Sequence, residues 1–218
     1  MAERTIEQTN AVTRPARRSQ AERREESDRR MLQATIELVA RRGVSGTNLA
    51  DIGLLAGYSR GLPLFRYGSK LWLFEALLQS MDAWFDRRLT ADLRDKQGLA
   101  SLRARIAAHL DEMRGSPLAT SALYSIFIES LFGMPELKPK IAELTNRWRN
   151  GLAADLRDGQ ARGEIRAEID CDQQATIILC ALRGLMIDHM MDGATTDLRT
   201  VELALSRIVN EMACVTPG

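Results

Sequence analysis

Histidine and cysteine are scarce in this 218-residue chain. The two histidines, His109 and His189, stand far apart, and neither belongs to an H-E-x-x-H pattern. The three cysteines, Cys171, Cys180 and Cys214, form no C-x-x-C. No ligand spacing for a metal is left, so neither metal nor cofactor is expected. An odd cysteine count without pairing spacing argues against a disulfide framework. It suits a reducing cytoplasm, with the thiols buried or incidental. Long hydrophobic runs are also missing. The longest uncharged apolar stretch, 175–182, contains Thr176 and is far shorter than the roughly 20 residues of a membrane helix. The N-terminus shows no apolar core of a secretory signal.

Valine is rare as well, with 6 residues against 29 Leu and 27 Ala. That is a helix-former composition, poor in the β-branched residue that strands favour. The long segments repeat at helical period. Leu198, Val201, Leu205, Ile208 and Met212 are spaced 3, 4, 3, 4, and Ala175, Ile178, Leu182, Leu185 and His189 follow the same rule. The expected fold class is all-α. Helices are predicted over 21–42, from 47 or 48 to 56, from 59 to 66 or 67, and over 70–93, 98–114, 117–133, 135–162, 172–191 and 196–213. Gly43, Gly115-Ser116-Pro117, Gly133-Met134-Pro135 and Gly193 punctuate them.

Charge is distributed unevenly. The net charge of +1 combines 12 Lys and Arg against 6 Asp and Glu between residues 11 and 70 with 17 against 21 between 71 and 218. A basic segment before a mildly acidic one suggests a nucleic-acid-binding piece joined to a piece with another task. A merely solvated charged surface is the alternative.

The basic part holds Gly57-Tyr58-Ser59-Arg60-Gly61. This matches G-x-S-x-G, the nucleophile elbow of serine hydrolases, which needs a strand before it and a parallel sheet around it. An all-α chain offers neither. The same residues suit a helix-turn-helix. Gly57 supplies positive φ for the turn, Tyr58 plugs the gap beneath it, and Ser59 caps the following helix. Gly53 and Ala56 are small enough for close helix approach. The two short helices must pack on the first long one, whose apolar stripe is Met31, Leu32, Ala34, Thr35, Leu38 and Val39. No enzyme is expected. Three parts follow: a flexible basic arm at 1–20, a helix-turn-helix DNA-binding domain at 21–70, and a helical domain at 71–218.

The run Thr47-…-Asp51-Ile52-…-Ala56-Gly57-Tyr58-Ser59-Arg60-Gly61-…-Tyr67-Gly68-Ser69-Lys70 resembles the signature of the TetR family of transcriptional regulators. The match covers about residues 30–78. The remainder fits the family in length and helical pattern, not by motif. The resemblance implies a homodimer with an N-terminal helix-turn-helix and a C-terminal helical domain that binds a small molecule and releases DNA. Leu64 stands where the family commonly has a phosphate-contacting Tyr, Arg66 where it often has His, and Leu71 where an acidic residue is frequent. Pro63 falls inside the recognition helix.

Candidate DNA contacts are Thr47, Ser59, Arg60, Gly61, Leu62, Phe65, Arg66 and Lys70. Arg60 opens the recognition helix, and Gly61 lets backbone approach DNA. Leu62 and Phe65 suit thymine methyls, with core packing an equal alternative for Phe65. Arg66 is a substitute for the missing phosphate contact, and Lys70 begins a helix whose N-terminus favours phosphate. Arg14, Arg17, Arg18, Arg23 and Arg24 of the arm are candidates for the DNA backbone or minor groove. Candidates to line an apolar effector cavity are Trp84, Phe85, Tyr124, Phe127, Phe132, Trp148 and Met186. Glu129, among apolar neighbours, is placed to orient a polar or cationic ligand group or to pair with Arg183. Ile178, Leu182, Leu185, Val201, Leu205 and Ile208 are the candidate dimer interface. The expected function is a dimeric repressor that binds a palindromic double-stranded DNA operator and is released by a small apolar effector. The alternative is a helical binding protein whose basic N-terminal unit docks another protein.

Overall fold

The computed structural model describes residues 19–191 and 198–213. Helix α1, Gln20–Arg42, opens with a reciprocal cap. Ser19 Oγ accepts from the Glu22 N–H at 3.1 Å, and the Glu22 carboxylate accepts from the Ser19 N–H at 2.6 Å. Arg23 and Arg24 therefore ride on α1 and are not part of an arm. Arg14, Arg17, Arg18 and Cys214 lie outside the described residues.

Asn48 caps α2, Leu49–Leu55, by accepting from the Asp51 N–H at 2.8 Å. Gly57 then turns the chain at φ 81°. Helix α3, Leu62–Tyr67, begins later than predicted. Gly61 is its N-cap, without a side-chain cap bond, and Ser59 contributes only its backbone carbonyl, accepting from the Leu62 N–H at 3.2 Å. The predicted Ser59 cap is thus wrong by two residues. Pro63 sits in the first turn of α3, where no intrahelical N–H is needed, and is buried. A Cβ on Gly53 would stand 2.4 Å from the Ser59 carbonyl and 3.0 Å from Pro63 Cδ, so only glycine lets α2 approach so closely. The unit closes on Met31, Ala34, Leu38, Ile52, Ala56 and Leu73, with Tyr58 and Leu62 half-buried beside them.

Ser69 caps α4, Lys70–Leu93, by accepting from the Trp72 N–H at 3.2 Å. There follow α5 (Gly98–Gly115), α6 (Pro117–Phe132), a 3₁₀ turn at Pro135–Leu137, α7 (Lys138–Ala161), α8 (Cys171–Met191) and α9 (Leu198–Met212). The only extended pairing among the described residues is one antiparallel bridge between Ile165 and Ala213. A second core joins the N-terminal unit to the rest: Val39 and Val44 meet Phe74, Leu77 and Leu78 of α4, Ala122 and Ile126 of α6, and Leu144 of α7. Helices α5, α7, α8 and α9 share a third core. The Asp155 carboxylate pins α7 to α5 there, accepting from Ser101 Oγ at 2.8 Å and from Arg105 Nε at 2.5 Å.

This third core corrects the predicted dimer interface. Ile178, Leu182 and Leu205 are buried within the chain, and Leu185 and Val201 pack on the same cluster. Of the six candidates only Ile208 is exposed. Each stripe satisfies intramolecular packing first. Turned outward on α8 is a different row, Ile177, Cys180, Gly184, Ile187 and Met191, which again follows 3-4-3-4 spacing. Leu203 and Ile208 are exposed on α9. No single helix among the described residues is long and apolar enough to cross a membrane.

Candidate functional site

Two surfaces concentrate chemistry. The first surrounds α3. Arg60 and Ser59 are exposed in the turn before it, and Gly61 has open space where a side chain would be. Phe65 is 87 % exposed and Leu64 55 %, so Phe65 is not a core residue. Leu62 is half-buried against the helix-turn-helix core.

Three other DNA candidates are turned inward. Thr47 is buried, and its hydroxyl donates to the Gly43 carbonyl at 2.8 Å. The Lys70 ammonium donates to the Val44 carbonyl at 2.5 Å and lies 5.7 Å from the Phe74 ring centroid. Burial lowers its pKa, which the Glu129 carboxylate partly offsets. Arg66 donates to Ser27 Oγ at 3.0 Å, and its Nε is 3.4 Å from Asp28 Oδ1, an ion pair by distance though not aligned as a hydrogen bond. The same Asp28 oxygen accepts from the Tyr67 hydroxyl at 3.4 Å. Burial, then the Asp28 charge, pushes that phenol up to about 12. Arg66 and Tyr67 thus lock α3 onto α1. Each of these three side chains thus bonds an acceptor on α1 or in the segment just after it.

The second surface is a cleft of about 610 Å³ among α1, α4, α5, α6, α7 and α8. Trp84, Phe85, Tyr124, Trp148 and Met186 line it as predicted candidates. Phe127, Glu129 and Phe132 do not. Phe127 stacks with Trp148 at 6.2 Å behind the wall, and Phe132 is exposed at the end of α6. Glu129 acts on Lys70 instead of on Arg183. Arg183 donates to Thr145 Oγ1 at 2.7 Å and lies over Phe127.

The sequence reading missed one whole wall: Asp28, Leu32 and Ile36 of α1 face the cleft. Nothing in the helical period of α1 assigns that face to a cavity, because it continues the core stripe. His109 was also missed as a lining residue. It is buried, its ring edge-on to Phe85 at 4.7 Å and to Trp148 at 5.8 Å. Burial pushes its imidazole down to about 4. One legible signal was its place on α5, three residues before Glu112, a helical neighbour that also lines the cleft.

Comparison with known proteins agrees with this architecture. Residues 98–205 match the family model of the tetracyclin repressor-like C-terminal domain. The HTH-type transcriptional regulator SrpR of Pseudomonas putida is 24 % identical over 175 residues, covering 80 % of each chain. The HTH-type transcriptional regulator BetI of Burkholderia cenocepacia is 26 % identical over 173 residues, covering 78 % of this chain and 84 % of the relative. A transcriptional regulator from Saccharomonospora viridis, solved in complex with choline, superposes with a TM-score of 0.79 at 21 % identity, over 88 % of this chain and all of that one. With a helix-turn-helix at one end and that domain at the other, the chain belongs to the TetR family of transcriptional regulators.

Proposed function

We propose that the chain is a dimeric repressor of a palindromic operator, released when a small molecule fills the cleft among α1, α4 and α5–α8. Asp28 carries this reading: one of its sides lines the cleft, and its carboxylate holds Arg66 and Tyr67 of the recognition helix. A ligand that moves α1 or draws on Asp28 changes how α3 is held, with α4 as the second link between the two regions. The effector must bind the DNA-incompetent state more tightly than the competent one, since equal affinity shifts nothing. A tenfold loss of operator affinity requires about 1.4 kcal/mol of coupling, within the usual allosteric range.

On DNA, Ser59, Arg60, Gly61, Leu64 and Phe65 form the contact surface. Thr47, Arg66 and Lys70 support it from behind. Two copies pair through the outward row of α8 with the exposed apolar face of α9. Gly184, with open space around it, allows close approach. Pairing sets the distance between the two recognition helices, which must match half-sites about one helical turn apart or a multiple of it.

The test is operator selection from a random DNA pool, followed by gel shift over a salt series and titration with hydrophobic metabolites. Selected palindromes that are released by a cleft-binding compound support the proposal. Binding without sequence preference, or ligands that bind tightly and never alter operator affinity, sinks it.

A further inference from the structure

Among the described residues, three buried polar atoms without a protein partner belong to side chains lining the same cleft: His109 Nε2, Thr120 Oγ1 and Trp148 Nε1. They come from α5, α6 and α7, so the site is built by tertiary packing and not by one helix terminus. His109 and Thr120 are each more than nine-tenths buried, at 8 % and 6 % exposure. A buried polar group without a partner is costly, so each of these atoms demands water or ligand.

Their chemistry can be assigned. His109 Nδ1 lies 2.9 Å from the Arg105 carbonyl, which can only accept. Nδ1 therefore carries the hydrogen. Burial keeps the ring neutral near neutral pH, with the nearby Arg105 and Arg183 charges acting in the same direction. That leaves Nε2 as a bare acceptor. Trp148 Nε1–H can only donate, and the Thr120 hydroxyl does either. The cleft lining thus holds a donor and an acceptor on two neighbouring rings, whose centroids are 5.8 Å apart.

Charge narrows the class further. Among the described residues, the only Lys or Arg in the lining is Arg29, which is exposed and held by Glu26 at 2.9 Å. Glu25, Asp28, Asp82 and Glu112 also line the cleft. An anionic ligand therefore finds no free cation in the lining and faces the lone pair of His109. A cation gains little, because Asp28 faces Arg66, Glu112 faces Arg88 at 3.3 Å, and Asp82 is paired with Arg147. None of those three carboxylates lacks a counter-charge.

We propose that the cleft takes an uncharged hydroxyl compound, a phenol or alcohol with an apolar body. Its O–H donates to His109 Nε2, and its oxygen accepts from Trp148 Nε1–H, with Thr120 completing the set. This rests on the proposal that the cleft is the effector site. A molecule that fills the cleft without offering these bonds leaves the three groups unpaired and binds more weakly.

The experiment is calorimetric titration of the full-length protein near neutral pH with five probes: para-butylphenol, para-butylanisole, butylbenzene, para-butylbenzoate and para-butylphenyl-trimethylammonium. The phenol should bind about tenfold more tightly than butylbenzene. The anisole, which accepts but cannot donate, should lose much of that advantage. The benzoate and the ammonium should bind more weakly than the phenol. Trp148→Phe, which keeps a ring and removes the N–H, should bring phenol and butylbenzene within about twofold of each other, as should His109→Phe. Should His109→Phe fail to fold, Trp148→Phe and Thr120→Val still decide the matter. Equal binding of phenol and butylbenzene, or tighter benzoate or ammonium, overturns the hydroxyl class. Operator release by butylbenzene in that case would leave the effector site standing. Conversely, phenol binding of the expected pattern without operator release refutes the repressor mechanism and keeps the ligand class. No binding of any probe overturns the hydroxyl class and, with it, the cleft as effector site.

Discussion

The Arg66 guanidinium on α3 lies 3.4 Å from the Asp28 carboxylate on α1, and Asp28 also forms part of the cleft wall. Through this pair the orientation of α3, the proposed recognition helix, is tied to the cavity. The Arg66 side chain is only 17 % exposed, so the pair is shielded from water more than a surface ion pair is. Arg66→Met should lower stability by about 1–2 kcal/mol in urea unfolding and weaken operator binding. Asp28→Asn should leave ligand binding nearly intact yet reduce the ligand's effect on the operator. Full release by ligand in the Asp28 variant would show that coupling runs elsewhere.

Arg60 and Lys70 should part company. Arg60→Ala is expected to reduce affinity and to flatten the salt slope of operator binding by about one unit, the loss of a phosphate contact. Lys70→Met removes the bond to the Val44 carbonyl. It should lower the unfolding temperature and leave the salt slope unchanged. A slope change for Lys70→Met would return that lysine to the DNA.

The proposed dimer contacts are separable from core contacts on α8. Ile187→Glu lies on the exposed row and should yield a folded monomer in sedimentation, with operator affinity collapsed. Leu182→Ala lies in the core and should cost about 2–5 kcal/mol of stability as a cavity forms. A dimeric Ile187→Glu protein would rule out this face.

Stability should depend on pH through His109. Its imidazole falls from the ordinary 6.5 to about 4 when folded. Above 6.5 both folded and unfolded chains hold it neutral, and the stability is complete. Between 6.5 and 4 the unfolded chain takes up a proton that the folded one refuses, so stability falls as pH falls, by at most roughly 3 kcal/mol. His109→Gln should flatten this part of a urea-midpoint profile. An unchanged profile would mean that folding does not shift the ring's pKa, as for an imidazole open to solvent.

Much of the architecture was legible before any coordinates. Period 3.6 located the helices and a cap at 47 or 48 the start of α2, because these signals act over three or four residues; the structure assigns that cap to Asn48. Gly57 marked the turn for the same reason. The start of α3 was misjudged by two or three residues: Ser59 has the chemistry of a cap, but the tight approach of Gly53 to the Ser59 carbonyl and Pro63 places the cap at Gly61. Five of the eight cleft candidates line it, since large aromatic and Met side chains on converging helices tend to share an interior. Phe127 and Glu129 face other neighbours and Phe132 faces solvent, which composition cannot foresee.

By itself, the sequence determined that the chain is helical, where the helices begin and end to within a few residues, and that the basic end carries a helix-turn-helix of TetR type. Only the tertiary structure decided which stripe of α8 turns inward, that Arg66 and Lys70 find partners on and just after α1, and that α1 walls the cleft. Helical period groups side chains into faces, but every face is locally equivalent. Which face meets which helix follows from summed contacts between residues far apart in the chain, such as Asp28 with Arg66 and His109 with Trp148.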